Sequence, residues 1–137
     1  MQKLHNDSNR SEWEKKNLIK MEDFFVFQGY LCIVFELLDR SLYDIVSKTE
    51  RGLPLDHVRE YSRQILESLV SCKEVNLIHC DLKPENILVD QSGTNVKLID
   101  FGSAAFHGQQ VYTYIQSRYY RAPEVLLGTY MPQFSEN

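Results

Sequence analysis

The chain has 137 residues, 43% apolar and 25% charged, with six Gly, four Pro and three Cys, the make-up of an ordinary globular protein and not of a disordered tail, a collagen or a disulfide miniprotein. No apolar run approaches the roughly 18 to 20 residues that cross a bilayer, and Met1 to His5 lack the apolar stretch of a secretory leader, so the expectation is an intracellular protein, in cytoplasm and/or nucleus, with no membrane partner. Fifteen Lys and Arg against nineteen Asp and Glu leave a net charge of -4; no global basic field draws the chain to nucleic acid, and any anion site must be local.

Residues 1 to 20 are polar and mixed in charge, with Asn6, Asp7, Ser8 and Asn9 in a row, and read as a lead-in with a short helix near Glu12 to Lys16. From Phe24 to Leu38, two β-rich runs flank Gln28 and Gly29, which predicts a hairpin with one buried strand. Ser41 to Lys48 can form a short helix, and Gly52 and Pro54 punctuate the chain before Asp56, an N-cap candidate. Val58, Tyr61, Ile65, Leu69 and Cys72 then recur at steps of three and four. Leu66 and Val70 widen that stripe, and Glu60, Arg63, Gln64 and Glu67 are expected to face out of a long helix ending near Asn76.

Two apolar runs, Ile87 to Val89 and Val96 to Ile99, straddle Asp90 to Gly93 and predict a second hairpin. Past Gly102 the chain is polar and tyrosine-rich without a steady period, which is usual for a functional loop. Pro123 then opens a short helical segment closed by Gly128. Cys32, Cys72 and Cys80 are odd in number and make no C-x-x-C pair, as expected of reduced thiols. At this length a single core is the most the chain can build.

The chemistry concentrates in His79-Cys80-Asp81-Leu82-Lys83-Pro84-Glu85-Asn86, followed nineteen positions after Asp81 by Asp100-Phe101-Gly102, and then by Ala122-Pro123-Glu124. Fixing only the His, Asp, Lys and Asn of the first run has chance odds on the order of one in 10⁵ per start point; two later triplets in order remove coincidence. The set resembles the catalytic segment of eukaryotic protein kinases. That resemblance implies an α+β, partial kinase-like fold over residues 21–137, comprising the end of the small lobe, a hinge near 35–39, a catalytic loop at 79–86 and an activation segment at 100–124. It also implies ATP and Mg²⁺ as the cofactors and protein Ser/Thr hydroxyls as the substrates.

Phosphoryl transfer asks the protein mainly for positioning and charge. By the resemblance, Asp81 is the base that takes the hydroxyl proton, Lys83 sits beside the transferred phosphate, and Asn86 and Asp100 hold Mg²⁺ through hard oxygens. His79, Phe101 and Gly102 are assigned to packing and shape, as are Ala122, Pro123 and Glu124. Upstream, Ile33 to Leu38 resembles the strand entering the hinge, with Phe35 as gatekeeper, Glu36 and Leu38 offering backbone groups to adenine, and Leu88 beneath it.

Cys80 stands where protein kinases usually carry the arginine that senses a loop phosphate. The segment Tyr112-Thr113-Tyr114 is followed by Arg118 and Arg121, four and seven residues beyond Tyr114. Together with H-C-D-L-K-P-E-N, this is similar to the dual-specificity tyrosine-regulated kinases, the DYRK family. The resemblance implies autophosphorylation on Tyr114, with Arg118 and Arg121 receiving the phosphate and with Tyr119, Tyr120 and Val111 packing the loop. It further implies a chain cut short at both ends, since no G-x-G-x-x-G loop or V-A-I-K lysine precedes Phe24. An inert, decoy-like binder of substrates or partners is therefore the alternative to an active kinase.

Overall fold

The structure is a computed structural model that describes residues 16–107 and 114–128. The helix expected near Glu12 to Lys16 falls almost wholly outside these residues, as do Val111 and Tyr112.

Strands β1 (Met21–Phe27) and β2 (Tyr30–Phe35) form an antiparallel hairpin. Its turn residues Gln28 and Gly29 both have positive φ, at 50° and 83°, the backbone that a tight hairpin turn demands. The expectation of one buried strand fails: Val26 is 70% exposed and Leu31 61%. The two strands are each other's sole sheet neighbours among the described residues, so their β-branched and aromatic side chains satisfy strand propensity without acquiring a covering layer.

Helix α1 (Leu42–Ser47) opens on a capping box, in which Ser41 Oγ accepts from the Asp44 N–H at 3.1 Å and the Asp44 carboxylate accepts from the Ser41 N–H at 3.2 Å. The long helix α2 (Leu55–Glu74) is capped by Pro54 and not by Asp56. The proline enters with extended ψ, and Asp56 falls in the first turn, where its charge suits the helix dipole and it pairs with Arg59 at 3.3 Å. After Val75, Asn76 adopts a left-handed φ of 56° that ends the helix.

The inward face of α2 follows the apolar stripe in part: Tyr61 and Cys72 are buried, Ile65 and Leu69 pack against the core, and Glu60, Arg63 and Glu67 face out as expected. Gln64, Ser68 and Ser71 are also buried, while Val58, Leu66 and Val70 are exposed. What decides this is the three-stranded sheet that the helix packs on, made of β3 (Arg40–Ser41), β5 (Ile87–Val89) and β6 (Val96–Leu98) in the order β3-β5-β6. Gln64, expected to face out, turns in because the sheet edge needs it: its Oε1 accepts from the Val96 N–H at 2.8 Å and its Nε2 donates to the Thr94 carbonyl at 3.0 Å.

Alternation along β5 and β6 sets the core. Ile87, Val89, Val96 and Leu98 point at Tyr61 and are buried with it, each such aliphatic contributing about 1.5–3 kcal/mol by leaving water. Leu88 and Lys97, directly opposed across the ladder, share the other face. Residues 17–20, read from sequence as lead-in, run beside β6: the Leu98 N–H donates to the Asn17 carbonyl at 2.9 Å and the Ile19 N–H to the Leu98 carbonyl at 3.0 Å. Short strands β4 (Leu77–Ile78) and β7 (Ala105–Phe106) pair and bring the end of α2 to the stretch after Gly102. Helix α3 (Pro123–Leu126) starts at the expected proline. No helix among the described residues is long and apolar enough to cross a membrane.

Candidate active site

The loop between β4 and β5 carries Asp81, Lys83 and Asn86, and the fold draws all three together. Lys83 Nζ donates to Asp81 Oδ2 at 2.7 Å. Asn86 Nδ2 donates to the Asp81 main-chain carbonyl at 2.8 Å and to its Oδ2 at 3.1 Å. Burial would push the Asp81 carboxyl up, but hydrogen bonds from Lys83, Ser117 and Asn86, with the Lys83 charge, hold it below the usual carboxylate range. The same bond to Asp81 raises Lys83, and the charges of Asp81, Glu85 and Asp100 add to it. Both aspartates therefore bear on the one Lys83 ammonium.

A second set of bonds ties this loop to Asp100. The Ile99 N–H donates to the Asn86 carbonyl at 2.9 Å, and buried His79 bonds the Ile99 carbonyl through Nε2 at 2.9 Å. The other His79 nitrogen, Nδ1, accepts from the Asp81 N–H at 3.2 Å, and its ring meets Phe101 edge-on with centroids 4.9 Å apart. With Nδ1 the acceptor, Nε2 is the nitrogen that donates to the Ile99 carbonyl. Two residues flanking this knot, Cys80 and Asp100, hold positive φ of 63° and 60°, a cost that persists only where the surroundings over-determine it. Space at Gly102 is tight: a Cβ there would stand 3.1 Å from Asp100 Oδ1, which accepts the Gly102 N–H and would have to shift by a few tenths of an ångström.

The activation segment closes on the loop through two residues that the sequence reading passed over. Gln116 exchanges hydrogen bonds with the Leu82 backbone, accepting its N–H at 3.0 Å and donating to its carbonyl at 3.1 Å, while its own N–H reaches the Cys80 carbonyl at 3.0 Å. Ser117 Oγ donates to Asp81 Oδ1 at 2.6 Å and accepts from Lys83 Nζ at 3.2 Å. The expected packing by Tyr119 and Tyr120 is not found, since Tyr119 is 88% exposed and Tyr120 43%. Polar bonds to the catalytic loop hold the segment instead, because the tyrosines point to solvent from the 3₁₀ turn Arg118–Tyr120. No sequence spacing announces contacts made across 34 to 36 residues.

Arg121 lies with Cζ 4.0 Å from the centroid of the Tyr114 ring. Its Nε donates to the carbonyls of Ile115 and Gln116 at 3.1 and 3.0 Å, while buried Nη2 finds no partner among the described residues. Hydrogen bonding and charge from Arg121, with Arg118 adding, pull the Tyr114 phenol below its ordinary value. Tyr114, Arg118 and Arg121 line one open cavity with Cys80, Asp81 and Ser117. Ala122, Pro123 and Glu124 form the entry and first turn of α3.

At the other end, Phe35 closes β2 and is half-exposed, and Leu38 is partly buried. The Glu36 N–H is spent on the Lys20 carbonyl at 3.0 Å, which leaves its carbonyl as the group it can offer. Leu88 sits on the outward face of β5, with Lys97 opposite.

The donor set can be tested against Mg²⁺ directly. Among the described residues Asn86 bonds through its Nδ2 only, which leaves its Oδ1 for a ligand, and Asp100 commits one carboxylate oxygen to Gly102. No group of three or more His, Cys, Asp or Glu fit for a metal occurs among the described residues. Two oxygen side chains without a protein cage fit Mg²⁺ held jointly with phosphate oxygens, and not a self-sufficient metal centre.

The model of the protein kinase domain matches residues 8–135. Over 118 residues, 84% of the chain, it is 52% identical to a dual specificity protein kinase YAK1 homolog of Arabidopsis thaliana, covering 12% of that protein. It is 45% identical over 127 residues, 91% of the chain, to a putative dual specificity tyrosine-phosphorylation-regulated kinase 3 homolog of Drosophila melanogaster, covering 15% of it. Against the human dual specificity tyrosine-phosphorylation-regulated kinase 4 the identity is 48% over 114 residues, 82% of the chain and 22% of that protein. The chain thus spans about an eighth to a fifth of the length of these relatives. With the catalytic-loop cluster, the Asp100 turn and these matches in agreement, the chain belongs to the protein kinase family and is similar within it to the dual-specificity tyrosine-phosphorylation-regulated kinases.

Proposed function

We propose that the protein transfers the γ-phosphate of ATP to protein Ser and Thr hydroxyls, after phosphorylating its own Tyr114. The observation that supports this reading is the Ser117 hydroxyl, 2.6 Å from Asp81 Oδ1 and 3.2 Å from Lys83 Nζ: a hydroxyl lies between this carboxylate and this ammonium. A substrate hydroxyl held the same way directs its oxygen at the γ-phosphorus and passes its proton to Asp81 as the new P–O bond forms and the bond to the β–γ bridging oxygen breaks, releasing ADP. Mg²⁺, when bound by Asn86 and Asp100, offsets the phosphate charge. Lys83, kept protonated by Asp81, supplies a fixed positive charge beside the same oxygens.

For the regulatory reading, the support is Arg121: its buried Nη2 lacks an acceptor among the described residues, and its guanidinium already lies against Tyr114. A phosphate on Tyr114 adds about 1.5–2 negative charges and the acceptor oxygens that this nitrogen and Arg118 can take. Cysteines that remain free thiols among the described residues fit the intracellular reading.

The deciding experiment is Asp81→Asn in the full chain, assayed for phosphate transfer to a Ser/Thr protein and for nucleotide binding. Transfer is expected to fall roughly 10²- to 10⁴-fold with binding kept. Full turnover after the change overturns the role given to Asp81, and an unaltered chain that binds partners yet transfers nothing favours the decoy.

A further inference from the structure

We infer that Lys97 is a positioning residue for the nucleotide, acting through Glu36; the inference rests on the kinase reading above. Lys97 Nζ meets Glu36 Oε1 at 2.5 Å across 61 residues of sequence, with side chains only 17% and 22% exposed. The same carboxylate oxygen accepts the Lys20 N–H at 2.8 Å, and the Glu36 N–H donates to the Lys20 carbonyl at 3.0 Å. Glu36 is therefore held by three bonds, one to its main chain and two to its side chain. What is left to it is the carbonyl, the group through which it would meet the adenine edge.

The other end of the same strand explains why this fixes a distance. From Lys97 the chain runs through Leu98, bonded on both sides to residues 17–19, to Ile99, clamped by Asn86 and His79, and so to Asp100. Lys97 also shares its face of the sheet with Leu88, away from the buried Val96 and Leu98. Strand β6 thus carries an ion pair to the hinge, and the chain leaving it reaches Asp100, the carboxylate proposed for Mg²⁺, three residues on. The Lys97–Glu36 pair sets where the adenine end of the nucleotide sits relative to its phosphate end. If Lys97 is lost, the Glu36 carboxylate is left short of water and without its cation.

The test uses the full chain with Lys97→Met, Lys97→Arg and Glu36→Gln, each titrated with a fluorescent methylanthraniloyl-ATP in Mg²⁺ and assayed for kcat and for KM toward ATP and toward protein substrate. Lys97→Met is expected to weaken nucleotide binding about 5- to 20-fold, raising KM for ATP by the same factor with kcat within about twofold, and Lys97→Arg to restore it. Hydrogen exchange at the Glu36 amide should quicken in the Met variant. Should that variant fail to fold, Glu36→Gln, which keeps shape and loses charge, must show the same selective rise in KM for ATP. Unchanged nucleotide binding in both, or an equal loss in kcat and in KM for protein substrate, overturns the inference and leaves the kinase reading standing. No nucleotide binding by the unaltered chain overturns both.

Discussion

Gln116 shows how much can depend on one side chain in this site. It both accepts from and donates to the Leu82 backbone, so an amide is needed and neither an acid nor an alkyl group will serve. Gln116→Glu keeps the acceptor but sets a second acceptor against the Leu82 carbonyl; a loss of one such bond in a partly buried setting, about 1–1.5 kcal/mol, corresponds to roughly a tenfold fall in kcat/KM. Measured kinetics at saturating nucleotide, with Gln116→Ala beside it, would check this. Tyr114→Phe keeps the ring under the Arg121 guanidinium but removes the phosphate acceptor, so phosphotyrosine at that site should vanish and activity fall while thermal stability holds. A Phe variant with full activity would separate Tyr114 from the switch.

At the level of elements, the α2 helix and the β5–β6 hairpin are joined by polar clamps as well as by Tyr61, Ile65 and Leu69 of the apolar stripe. Gln64 spans Thr94 and Val96 from the helix side at 3% exposure. Gln64→Leu leaves the Val96 N–H and the Thr94 carbonyl without partners and is expected to cost about 1–3 kcal/mol in denaturant unfolding. The hairpin turn contains its own anchor, Asp90. Burial would raise its carboxyl, but hydrogen bonds from Asn95 and Ser92 hold it at about 2. Its folded pKa is below the ordinary value, so the stabilisation is complete above the ordinary carboxylate pKa and is lost as pH falls toward about 2. The Tm gap between the unaltered chain and Asp90→Ala should accordingly be widest at neutral pH and close on acidification.

Across the whole molecule, a small core of Tyr61, Ile87, Val89, Val96 and Leu98 supports a surface that exposes Val26, Leu31, Phe24, Leu66 and Val70. A surface this apolar drives self-association. Val26 and Leu31 are directly paired across the hairpin, and a Val26→Lys/Leu31→Lys variant should reduce both dye binding by the native chain and light scattering without moving the site around Asp81. Equal scattering in the two would show that another face is responsible.

From the letters alone, local rules were enough for much of this. Turn chemistry at Gln28-Gly29 and Asp90 to Gly93, β-branched runs and the proline of α3 are decided by neighbours in sequence, and residue types at Asp81, Lys83, Asn86 and Asp100 declare a phosphate-handling chemistry. Tertiary structure alone decided that Gln64, Ser68 and Ser71 are buried on α2 while Val58, Leu66 and Val70 are exposed, that the β1–β2 hairpin stays uncovered, that Gln116 and Ser117 rather than Tyr119 and Tyr120 fasten the activation segment, and that Lys97 reaches Glu36. The polar bonds among these join residues 32 to 61 positions apart. Such pairings have no period and no spacing: they exist because backbone groups stranded at loop and sheet edges must find partners once the chain is compact.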